Sequence, residues 1–244
     1  MKNIGEEFLQ ATILENCQDT ARSRGEQPPV PEVPYAAAAK LIELPEPELL
    51  PDQEVNFLEL IELRSTVREY SGKDLSLKEL SFLLWCTQGV KMGLPGGGTM
   101  RNVPSAGARH AFETYLYLKR VEGLEPGLYR FLPLEHALLL VDPAAERLGA
   151  VADGFKAGAM VRNSAVTFIW TAELQRMEYM FGARAWRYLF LDAGHVCQNL
   201  YLAAQTRQIG VCAVGAFYDD KLNAALALDG TQRFAVYAAT AGKL

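Results

Sequence analysis

Residues 184–207, RAWRYLFLDAGHVCQNLYLAAQTR, constrain this chain more than any other segment. Trp186, Leu189, Phe190, Ala193, Val196, Cys197, Leu200, Tyr201 and Ala204 recur at helical spacing. Tyr188, Leu191 and Leu202 make the opposite side apolar as well. A helix apolar nearly all round is buried on all sides. It is therefore either central in the fold or shared with a second subunit.

The segments around it set the fold class. Residues 5–20 read as an amphipathic helix with Phe8, Ile13 and Leu14 among its apolar positions. RSRGEQPPVPEVPYA and ELPEPELLPD read as extended connectors, because each proline disfavours helix in the residue before it. Residues 1–53 thus form an arm, with too little apolar sequence for a core of their own, and residues 54–244 form the main domain. From Glu54 a short helix with Val55, Leu58 and Ile61 runs to Arg64. Ser76-Leu77-Lys78-Glu79 has the form of a capping box that opens a helix ending near Gly89. A glycine-rich loop, Gly93 to Gly98, follows.

Phe112–Val121, Gly127–Leu132 and Ala137–Val141 read as strands, and their short connections favour antiparallel pairing. A helix over 143–157, strands at Ala165–Ala172, Val211–Ala216 and Phe234–Ala239, and a short helix from Asp219 complete the pattern. Locally paired strands mixed with helices indicate an α+β fold.

Composition narrows the function classes. The net charge of −5 argues against a nucleic-acid binder and against attraction to an anionic membrane. No stretch approaches the roughly 18 apolar residues that span a bilayer, and MKNIGEEFLQ lacks the form of a secretory signal. Cys17, Cys86, Cys197 and Cys212 form no CxxC pair and sit among apolar neighbours, so they read as buried free thiols in the cytoplasm. No metal site is expected.

Arg64 and Arg68 stand four apart at a helix end, with Ser65 and Thr66 between them. Two guanidinium forks converging there suit a phosphate, although a solvated basic patch has the same spacing. Pro104, Ser105, Ala106 and Gly107 form a loop of small residues whose amides can approach a planar or anionic ligand; turn chemistry alone has the same composition. Val214 and Gly215 end a strand that can present backbone amides, and Lys243 sits after the last strand as an ordinary tail residue. His195 reads as a structural or a catalytic histidine on the long helix, and His110 directly follows the loop.

Taken in order, RSTVREYSGKDLSLKELSFLLWCTQGV, RNVPSAGARHAFETYLYLKRVEGLEPGLYRF and GARAWRYLFLDAGHVCQNLYLAAQTRQIGVCAVGAFYDD resemble the nitroreductase superfamily, specifically its SagB-type dehydrogenase branch. The resemblance implies a nitroreductase-like FMN-binding fold: a central mixed or antiparallel sheet flanked by helices, in an intertwined homodimer. It implies that Arg64, Thr66, Arg68 and Lys243 converge on the FMN phosphate. Pro104 to Gly107 would follow the isoalloxazine edge, and Val214 and Gly215 would lie by flavin N5. Hydride transfer through N5 by a ping-pong mechanism would follow, with NADH or NADPH as candidate donor and a small-molecule or peptide-borne substrate. The branch's azoline oxidases carry a Lys-Tyr pair for proton transfer where this chain has Met180-Phe181, which puts ring-forming activity in doubt. A flavin-binding subunit without turnover of its own is the remaining alternative.

Overall fold

The computed structural model describes residues 3–47, 56–94 and 98–244. The expected helix start at Glu54 and Val55, the arm–domain boundary and the middle of the glycine-rich loop lie outside them. The sheet is built from β1 (Leu41–Glu43), β4 (Phe112–Leu118), β5 (Gly127–Leu132), β6 (Ala137–Asp142), β7 (Val166–Glu173), β8 (Ile209–Val214) and β9 (Arg233–Lys243). Their order is β1-β6-β5-β4-β7-β9-β8, and every neighbouring pair is antiparallel. Two further strands, β2 (Val90–Gly93) and β3 (Thr99–Arg101), make a separate hairpin where the sequence predicts only a loop.

Both faces of the sheet are covered, so β4 and β5 are buried along their whole length. Along β4, Leu116 and Leu118 face one core while Tyr115 and Tyr117 face the other, as the two-residue period of a strand requires. The first core packs α3 (Leu77–Gln88) and α7 (Ala185–Gln205). The second packs α4 (Ala145–Asp153), α5 (Gly158–Asn163) and α8 (Asp219–Ala225). The capping box forms as the sequence predicts: Glu79 N–H donates to Ser76 Oγ at 3.2 Å and Ser76 N–H to Glu79 Oε2 at 2.9 Å.

Several boundaries differ. The helix expected over 5–20 is α1 (Ile4–Ala11), because the Thr12 hydroxyl turns back to the Phe8 carbonyl and the chain tightens into a 3-10 turn at Leu14–Cys17. The segment 143–157 breaks at Gly154, which caps α4. A helix the sequence reading passed over, α6 (Leu174–Phe181), precedes α7. The long helix is not enclosed by its own chain. Leu189, Val196 and Leu200 are buried, whereas Phe190 is 55% and Leu191 59% exposed.

The proline-rich arm is fixed by three buried arginines. Arg176 Nε donates to the Val30 carbonyl at 2.9 Å, Arg101 Nη2 to Pro31 at 3.4 Å and Arg130 Nη2 to Val33 at 2.8 Å. Buried Glu113 completes the clamp, accepting Arg176 at 2.6 Å and the Val33 amide at 3.0 Å. Farther along, β1 adds itself to the sheet edge beside β6.

Candidate functional site

The basic segment follows α2 (Phe57–Leu63), whose Asn56 side chain accepts the Glu59 amide and whose C-cap is Arg64. Beyond that cap the chain runs extended along the edge of β8, held by Val67 N–H donating to the Val211 carbonyl at 2.9 Å. Val67 lies so close to Gly210 that a β-carbon there would stand 2.6 Å from its methyl, which is why this position on β8 is glycine. Arg64 lies over the Tyr201 ring, 5.3 Å from its centroid, and Thr66 Oγ1 is 3.4 Å from the Tyr201 hydroxyl. Among the described residues no carboxylate pairs with Arg64 or Arg68. Ser65 lines a cavity of about 230 Å³ with Val67, Tyr201 and Gly210.

Tyr201 links this segment to the end of β8. Its hydroxyl accepts the Ala213 amide at 2.8 Å, next to Val214 and Gly215. Val214 is buried and Gly215 exposed, so the strand end opens outward directly after the residue that Tyr201 fixes.

The Pro104–Gly107 loop meets the same helix farther toward its start. Ala106 N–H donates to Asp192 Oδ1 at 3.2 Å, and His195 Nδ1 lies 3.8 Å from that oxygen. Burial raises the Asp192 carboxyl above the ordinary range, opposed by the Ser105 hydroxyl, the Ala106 amide and His195. Asp192 and Tyr201 are nine residues apart, about 13 Å along the helix axis. Thus α7 carries the loop at one end and the basic segment and strand end at the other.

Met180 and Phe181, at the end of α6, close over Gly107. A β-carbon on Gly107 would collide with the Met180 sulfur and stand 3.0 Å from Phe181 Cζ, while the residue holds φ +56°. Neither side chain can carry a proton. His110 is buried behind the loop, and desolvation with Arg101 and Arg109 nearby lowers its pKa to about 3, so it is neutral. Burial pushes the Cys86 thiol up to about 11 and that of Cys197 to about 12, and raises that of Cys212, which leaves these three unsuited to nucleophilic work; all four cysteines are free.

Two sequence expectations change here. Lys243 is not a tail residue: it belongs to β9, and its ammonium pairs with Glu79, the carboxylate of the capping box. Tyr201 and Asp192 were missed as candidates, Tyr201 because its apolar ring fitted the helical stripe. Asp192 had a visible signal, as an acidic residue inside that stripe.

Residues 61–243 match the model of the Nitroreductase family. The chain belongs to that family. The nitroreductase-like protein MJ1384 of Methanocaldococcus jannaschii is 32% identical over 176 residues, covering 71% of this chain and 85% of the relative. The trifolitoxin-processing protein TfxB of Rhizobium leguminosarum bv. trifolii is 29% identical over 123 residues, which are 49% of this chain but only 33% of TfxB. A nitroreductase-like protein of Ralstonia eutropha JMP134 has a TM-score of 0.68 at 25% identity, covering 89% of this chain and 93% of that one. A nitroreductase-like protein of Desulfovibrio desulfuricans, solved with FMN, has a TM-score of 0.54 at 20% identity, with 78% and 87% covered. The antiparallel sheet flanked by helices is the nitroreductase-like fold.

Proposed function

We propose that this member of the Nitroreductase family is an FMN-dependent oxidoreductase of the SagB-type branch. The observation that carries this reading is the pair Arg64 and Arg68, cations without a carboxylate partner among the described residues, beside an exposed strand end, with Arg64 packed on Tyr201 of α7, the helix whose Asp192 also holds the small-residue loop. This donor set fits a ligand with a phosphate at one end and a flat ring at the other. Arg64, Thr66 and Arg68 hold the phosphate by charge-assisted hydrogen bonds. Lys243 joins them only by leaving Glu79. The Pro104–Gly107 amides border the ring, and Tyr201 keeps the Val214–Gly215 backbone in place by holding Ala213. Bound there, FMN supplies two-electron chemistry at N5 by a ping-pong sequence, with NADH or NADPH as the candidate donor.

The apolar residues left open on α2 (Phe57, Leu58, Ile61) and on α7 (Phe190, Leu191) support a homodimer that buries them. Likeness to TfxB favours a peptide-borne substrate as the second reading, whereas Met180-Phe181 weighs against azole formation.

Purified protein should be yellow and release FMN on heating; a colourless protein that takes up no FMN refutes the reading. Stopped-flow bleaching by NADH or NADPH separates an oxidoreductase served by free nicotinamide from a flavin-binding subunit without turnover. Sedimentation velocity should show a dimer.

A further inference from the structure

The Pro104–Gly107 loop is held in a backbone shape it would not adopt alone. Gly107, Ala108 and His110 have φ of +56°, +52° and +43°. For the two residues with side chains the left-handed region costs about 1 kcal/mol each. Within the loop, His110 N–H donates to Ser105 Oγ at 2.9 Å and Ala108 N–H to the Ser105 carbonyl at 3.0 Å. From another element, among the described residues, Asp192 reaches Pro104–Gly107: its Oδ1 accepts the Ala106 amide at 3.2 Å, and the Ser105 hydroxyl also acts on its carboxyl. The Asp192 side chain is 6% exposed and its second oxygen, Oδ2, is buried without a hydrogen-bond partner. No arginine or lysine pairs with it among the described residues; the side chain 3.8 Å from its Oδ1 is half-exposed His195. A buried carboxylate with an orphan oxygen opposes folding, so stability of the core does not account for it.

We propose that Asp192 is the positioning residue of the Pro104–Gly107 loop, fixing the Ala106 amide before any ligand arrives and setting a negative charge behind the ring that the loop borders. The proposal rests on the flavin reading for its second half only. The pin needs an acceptor oxygen, whereas the electrostatic effect needs the charge. Asp192→Asn keeps the first and removes the second; Asp192→Ala removes both. Ala106→Pro deletes the donor from the other side of the same bond.

The test uses the full chain. In FMN-free protein, hydrogen exchange at the Ala106 amide should be at least about tenfold faster in Asp192→Ala and within about threefold of wild type in Asp192→Asn. FMN affinity, read by flavin fluorescence, should fall about tenfold in Asp192→Ala and in Ala106→Pro and hold in Asp192→Asn. The potential of the bound flavin should be more positive in Asp192→Asn, because the anionic reduced ring no longer faces a carboxylate. Unchanged Ala106 exchange in Asp192→Ala overturns the pin. Faster exchange with unchanged FMN affinity also overturns the positioning role, and an unchanged potential in Asp192→Asn overturns the electrostatic half. If wild-type protein takes up no FMN, the flavin reading falls while Ala106 exchange still decides the pin.

Discussion

The Tyr201 hydroxyl accepts the Ala213 amide at 2.8 Å and lies 3.4 Å from Thr66 Oγ1. One side chain of the long helix thereby sets the spacing between the basic segment and the strand end that together frame the candidate site. Tyr201→Phe leaves the Ala213 amide without that acceptor. It should lower stability by about 1 kcal/mol in denaturant titrations and weaken FMN binding several-fold; equal FMN affinity would show that the two segments are positioned independently.

Arg64→Ala and Arg68→Ala should each lower FMN affinity at least about tenfold, the scale of a charge-assisted hydrogen bond. Thermal midpoints should scarcely change, because neither arginine has a carboxylate partner among the described residues. Flavin fluorescence and calorimetry check the two halves separately, and loss of stability without loss of affinity contradicts a phosphate role.

Gly107→Ala meets two obstacles at once: a positive φ and the side chains of Met180 and Phe181. The cost should be about 2 kcal/mol. Adding Met180→Ala should recover the steric part alone. Full recovery by the double variant would mean that the backbone angle is not the constraint.

Glu32, 8% exposed, sits among Glu135, Glu113 and Arg101 where the arm docks, and its Oε2 accepts the Leu134 amide at 3.4 Å. Burial, then repulsion from Glu135 and Glu113, raises its carboxyl to about 7. The folded chain therefore holds a proton that the unfolded chain has already released in the ordinary glutamate range near 4.3. The contribution to stability is complete below that range and is lost as pH rises through 7. Hydrogen exchange in residues 30–35 should accelerate between pH 6 and pH 8 beyond the intrinsic rate, on the order of tenfold. Glu32→Gln should flatten that rise, and a rise retained in Glu32→Gln assigns it to another group.

Glu113→Gln keeps an acceptor for the Val33 amide but leaves Arg176 and Arg130 as buried cations without their counter-charge. Breaking such a buried pair costs about 3 kcal/mol, seen as a lower unfolding midpoint together with faster proteolysis of residues 19–33. A variant as stable as wild type would show that the carboxylate charge is not what holds the arm.

Legibility in the sequence followed the range of the forces involved. Local hydrogen bonding and periodicity revealed the Ser76–Glu79 cap, the strand Gly127–Leu132 to the residue, and most of α7. The arginine clamp was invisible, since Arg101, Arg130 and Arg176 find carbonyls 70, 97 and 146 residues away. Helix α6 was missed because its eight residues mix charge and apolar character without a long repeat. At the candidate site, the spacing of Arg64 and Arg68 was readable, but the ion pair that occupies Lys243 depends on a helix start 164 residues away. The apolar stripe of α7 correctly marked a core face, yet could not say which side its own chain would leave open.

Each arginine contact to residues 30–33 ends on a carbonyl oxygen, and carbonyls are the same whatever the side chain. The grip on residues 30–33 therefore registers the path of the chain and is indifferent to its spelling there, apart from Glu32. Val30 and Val33 can be exchanged for other residues that tolerate an extended backbone without loosening those bonds. A change of even one residue in the length between Val30 and Val33 would leave at least one guanidinium facing an empty place.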